Sequence, residues 1–102
     1  GGWYDGNPAN LKTATDRALG EAIAALAGGP KELAQQAEAL AATDLRAACH
    51  LAEFAADAAP DDPAVHAIRA RLYQARREQE TSLMAKGIFG SAANASKDKA
   101  GD

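Results

Sequence analysis

Thr43-Asp44-Leu45-Arg46-Ala47-Ala48-Cys49-His50-Leu51-Ala52-Glu53-Phe54-Ala55-Ala56-Asp57-Ala58-Ala59-Pro60 is the stretch that decides the fold. Thr43-Asp44 makes a tight turn, and a helix follows from about Leu45 to Ala59. Leu45, Ala48, Cys49, Ala52, Ala55 and Ala59 recur at helical spacing and form its buried face. Leu51 and Phe54 fall on an adjoining face, so this helix contacts partners on two sides. Pro60-Asp61-Asp62-Pro63 ends it and starts the next helix, with Asp61 or Asp62 as N-cap and Pro63 as first helical residue.

The same punctuation organises the rest. Upstream, Thr15 or Asp16 caps a first helix running to about Leu26, with Leu19, Ile23 and Leu26 as its apolar stripe. Gly28-Gly29 stops it, and Pro30 opens a second helix with the stripe Leu33, Ala37, Leu40 and Ala41. Downstream, a long fourth helix carries Val65, Ile68, Leu72 and Ala75, then the wholly polar Arg76 to Glu80, and ends or kinks at Gly87 or Gly90. No strand pattern appears. The class is all-α, about four helices, with short connections that set neighbouring helices antiparallel. Residues 1–14 read as an extended aromatic turn segment, 15–90 as the helical domain and 91–102 as a flexible, disordered tail.

Thr43 to Pro60 also resembles the second half of a tetratricopeptide unit. Asp44 stands at the interhelix turn, Leu45 follows, Ala48 and Ala55 lie three and ten positions further on, and Pro60 closes the unit. The first half departs, with Gln36 where glycine is usual and Ala39 where an aromatic is usual. A generic helical hairpin needs the same small residues, so both readings stay open.

Composition limits what such a domain does alone. The chain has 102 residues, 47% of them hydrophobic, but 28 of them are alanines. Bulk comes from few side chains, the core is thin, and thin cores in small domains are often completed by another subunit or domain. A net charge of −3 disfavours a nucleic-acid partner. The longest apolar run, Ala22 to Ala27, is too short for a membrane span. No secretory leader opens the sequence, and a parent's leader would lie upstream, so the compartment is not indicated. The lone Cys49 excludes an internal disulfide framework.

Catalytic chemistry is hard to assemble from this inventory. His50 and His66 are the only histidines, with no spacing that gathers three or four zinc ligands, and both read as surface or edge residues. Cys49, on the alanine stripe, reads as a small core residue and not as a nucleophile. Asp61-Asp62 reads as a cap, and Glu78 and Glu80 as a solvated helix face. The chain therefore shows no catalytic residue, no metal ligand and no cofactor site.

Association is better supported. Leu83, Met84, Ile88 and Phe89 follow the polar stretch, beyond the reach of the hairpin. An exposed apolar patch of this kind marks an interface. A homodimer joined through these four, with Leu51 and Phe54 as a second patch, is the expected assembly.

One segment fits nothing else in the chain. Gly2-Trp3-Tyr4-Asp5-Gly6-Asn7-Pro8-Ala9-Asn10-Leu11 holds the only Trp among turn formers. It resembles the sequence that opens the dimerisation domain of alkyl sulfatases, zinc-dependent sulfate-ester hydrolases with a metallo-β-lactamase-type catalytic domain. A weaker likeness runs through Gly28-Gly29, Thr43 to Ala48 and Ala58 to Asp62, to about residue 90. Leu45 and Ala47 stand where the family carries Tyr and Trp, and Arg76 to Phe89 departs from its pattern. The resemblance implies a middle domain excised from a larger enzyme. Zinc would be held by a His-x-His-x-Asp-His motif upstream, which this chain lacks, and a sterol-carrier-like domain would follow. Trp3, Tyr4, Asp5, Asn7 and Asn10 would dock against that upstream catalytic domain. The alternative is a free-standing tetratricopeptide-like adaptor that binds a peptide or partner protein.

Overall fold

The computed structural model describes residues 14–101. Five helices follow one another: α1 (Asp16–Ala27), α2 (Pro30–Leu40), α3 (Leu45–Ala58), α4 (Pro63–Gln79) and α5 (Leu83–Ala100). Among the described residues there is no strand, in keeping with the all-α reading.

Local chemistry sets the helix boundaries. Thr15 Oγ1 accepts the Ala18 N–H at 3.1 Å, Asp44 accepts from Ala47 at 3.0 Å, and Asp62 accepts from Ala64 at 2.9 Å. Each cap satisfies a backbone donor that the first helical turn leaves unpaired. Gly28 and Gly29 turn the chain at φ 101° and 131°, a region that only glycine enters without strain. Pro30 and Pro63 then occupy first-turn positions where no N–H is needed.

α3 is the central element and packs against α1, α2 and α4. It buries Ala48, Cys49, Ala52, Ala55 and Ala56, with Leu45 and Ala59 half-buried at its ends. α2 contributes Leu33, Ala34 and Ala37, and α4 contributes Val65, Ile68 and Leu72. The stripes expected for these three helices thus form the core, except for Ala75 of α4, which is half-buried beside an open crease.

α1 differs from its expected face. Leu19 is 44% and Leu26 is 89% exposed, while the buried residues are Gly20 and Ala24. Close approach explains the rotation. A Cβ at Gly20 would lie 2.6 Å from the Phe54 carbonyl oxygen and 2.8 Å from Asp57 Cβ. α1 seats its smallest residues on α3, and the leucines turn outward.

The C-terminal third needs a second correction. The long fourth helix stops at Gln79, Glu80 to Ser82 break it, and Ser82 Oγ caps α5 by accepting from Ala85 at 3.3 Å. Gly87 and Gly90 lie inside α5 and do not end it. The segment expected as a disordered tail from residue 91 is the second half of α5, where Ala93 and Ser96 are buried. α5 packs on α4 alone. Paired contacts at 61–99, 66–96, 69–92 and 73–89 run in opposite order along the two helices, so they are antiparallel.

Candidate association surface

A partly buried polar network fixes α5 against the rest. Arg69 donates from Nε and Nη2 to Glu53 of α3, at 3.0 and 2.6 Å to Oε1. Its Nη1 donates to the Ala92 carbonyl at 3.1 Å and to Ser96 Oγ at 2.7 Å. One guanidinium therefore joins three helices, using the planar fork that suits it to carboxylates. Tyr73 donates its hydroxyl to the same Glu53 oxygen at 3.1 Å.

His66 completes the network and is buried, 6% exposed, where a surface or edge position was expected. Its Nε2 lies 2.7 Å from the Pro60 carbonyl, which only accepts, so Nε2 carries the proton. In the neutral ring Nδ1 is then an acceptor, 2.9 Å from Ser96 Oγ. Ser96 accepts from Arg69 and donates to His66, which uses its hydroxyl fully at a site with no exposure. Lys99 Nζ also donates to the Pro60 carbonyl at 3.2 Å and pairs with exposed Asp61 at 3.3 Å.

Burial first, and then the charges of the network, shift the protonation of several groups in and beside it. Burial, then the Glu53 charge, pushes the Tyr73 hydroxyl up to about 12. Burial acts to lower Arg69, but its hydrogen bonds and charge contact with Glu53 outweigh that and raise it. Burial, then Glu53 and Asp16, raises Asp57. Burial also raises the Cys49 thiol, against the opposing effect of Arg76. Cys49 is 3% exposed, with Sγ 3.8 Å from the Leu72 carbonyl. A protonated thiol without access is a core residue, not a nucleophile.

With α5 held by one face, its first turns present their side chains outward. Leu83 is 86%, Met84 77% and Ile88 59% exposed. Phe89, expected beside them, instead turns inward. Its ring stacks on Tyr73 at 6.0 Å between centroids, and the Arg76 guanidinium covers it at 4.4 Å. Leu51 and Phe54 are half-buried and pack against the core on α3, which α5 does not touch. The structure thus groups Leu83, Met84 and Ile88 and separates the other three. Leu19 and Leu26 on α1 are exposed apolar residues that the periodicity had placed inside. Gly20 and Ala24 were the available signal, since small residues mark the contact face in an alanine-rich chain.

Trp3, Tyr4, Asp5, Asn7 and Asn10 lie outside the described residues. Among the described residues no three of His, Cys, Asp and Glu converge as a metal ion requires. His66 is committed to Ser96 and Pro60, His50 is exposed and Cys49 is buried, so these residues do not fit a zinc site. Among the described residues no helix is long and apolar enough to cross a membrane.

Leu83, Met84 and Ile88 on α5, with Leu19 and Leu26 on α1, leave apolar surface uncovered of the kind that marks an interaction site. The family model described as alkyl sulfatase dimerisation matches residues 1–99, and the chain belongs to that family. No curated protein and no solved structure matches it. Membership gives the chain a role in dimerisation.

Proposed function

We propose that this chain holds together two subunits of an alkyl sulfatase-like hydrolase and carries none of its catalysis. In this reading the parent hydrolyses alkyl sulfate esters with zinc bound in an upstream metallo-β-lactamase-type domain. Trp3, Tyr4, Asp5, Asn7 and Asn10 dock against that domain. The observation that carries the reading is the exposed group Leu83, Met84 and Ile88 on a helix packed on α4 alone. Bulky apolar residues are scarce in this chain, and leaving three together in water favours a partner that covers them. A stable interface buries roughly 1,200 Å² or more, beyond what three side chains offer, so adjoining surface takes part. The partner is a second copy, as membership of a dimerisation family supports.

Sedimentation equilibrium across a concentration range tests this. The wild-type chain is expected to sediment as a dimer. The double change Met84→Asp and Ile88→Asp is expected to give a monomer with unchanged far-UV circular dichroism. An unchanged mass would remove this surface from the interface.

A further inference from the structure

Three creases run along the α4–α5 hairpin. One lies between Ala67, Arg71 and Glu78 of α4 and Lys97 of α5. Another faces α3 and is lined by Glu53, Arg69, Ser96 and His66. The third opens to solvent between Gln74 and Arg77 of α4 and Lys86, Gly90, Ser91 and Asn94 of α5. We propose that this third crease binds a small tetrahedral oxyanion of the sulfate or phosphate type.

Charge carries the argument first. Arg17, Arg69, Arg71 and Lys99 are all paired, with Glu21, Glu53, Glu38 and Asp61. Among the described residues Lys31, Arg46, Arg77, Lys86 and Lys97 have no ion-pair or side-chain hydrogen-bond partner, and of these Arg77 and Lys86 are the two that share a crease. They meet in one crease that no carboxylate lines, in a chain whose net charge is −3. Like charges brought together without a counter-charge repel, and an anion between them removes that repulsion.

Shape supplies the second observation. A Cβ at Gly90 would lie 3.0 Å from Arg77 Nε and 3.1 Å from its Cδ. The arginine stem therefore crosses α5 where glycine leaves room, which lays the exposed Arg77 side chain along the crease. Neutral donors complete the lining. Ser91 offers a hydroxyl and Asn94 an amide. Gln74 gives one N–H to Glu78 at 3.4 Å and keeps the other. Donors reaching in from both helices suit an anion with acceptors on every side better than a planar carboxylate.

The test is an NMR titration of the full chain with sodium sulfate, against sodium chloride at fixed ionic strength. The Arg77 Nε–H and the Gln74 and Asn94 side-chain amide signals are expected to shift along one saturating curve. Arg77→Gln and Lys86→Gln are each expected to weaken binding about tenfold, the loss of a charge-assisted contact. Gly90→Ala, which displaces Arg77, is expected to weaken it as well, and Lys31→Gln is expected to leave it unchanged. Shifts that rise linearly without saturating, or the same apparent affinity in all variants, would mean a general salt effect and overturn the site.

Discussion

α3 and α5 are both helices rich in small residues, but they are held in different ways. α3 is enclosed by three helices and buries an alanine face whose neighbours approach closely. α5 touches one helix and is fastened there by hydrogen bonds to Ser96 and the Ala92 carbonyl. Small residues contribute little transfer free energy each, so packing holds α3 through many contacts. α5 has one long interface with α4, where buried Ala93 and the Phe89–Tyr73 stack add packing to a few directional bonds, and Leu83, Met84 and Ile88 remain exposed.

Removing the directional bonds is the largest way to break that comparison. Arg69→Ala leaves Glu53 half-buried without its cation and deprives Ser96 of a donor. It is expected to cost about 3 kcal/mol, read from urea denaturation, with α5 amides losing protection first. Two glycine changes sharpen the contrast. Gly20→Ala places a Cβ against the α3 backbone and is expected to cost about 2 kcal/mol despite better helix propensity. Gly87→Ala meets nothing within 4 Å, and is expected to stabilise by about 0.5–1 kcal/mol in the same assay.

The smallest effect is alkaline. Tyr73 keeps its proton to about 12 when folded, against 10.0 in an unfolded chain. The folded state binds the extra proton between those values, so its stabilising effect is complete below pH 10 and is lost as pH rises towards 12. Partial exposure brings the loss to roughly 1–2 kcal/mol. Urea midpoints from pH 9 to 12 check it, and Tyr73→Phe is expected to flatten the difference.

The helices whose apolar residues recur cleanly were legible in the sequence, and so were their caps. α2, α3 and the start of α4 fall where Pro30, Asp44, Asp62 and Pro63 place them, whereas the end of α4 at Gln79 was not foreseen. α1 was misread because bulk was taken to mark its buried face, whereas Gly20 allowed a closer contact with α3. α5 was misread because Ser91 to Lys99 reads as a polar tail when its partners are unknown. Nothing local says that Ser96 meets His66 and Arg69, thirty and twenty-seven positions away. Ser82, a hydroxyl residue just ahead of an apolar run, was the readable sign of a new helix. Of the candidate surface, Leu83, Met84 and Ile88 were legible as exposed. Phe89 was not, because its burial depends on Tyr73 and Arg76 from the neighbouring helix.

The three-residue break between α4 and α5 has a thermodynamic consequence. A helix joined to one neighbour through a short extended link is a separate cooperative unit, able to detach while α1 to α4 stay folded. The free energy of that detachment belongs to a single interface. Any second copy bound to Leu83, Met84 and Ile88 then stabilises α5 by mass action, to a degree set by protein concentration. Under the proposed assembly, the firmness of the last helix would report how much of the chain is paired.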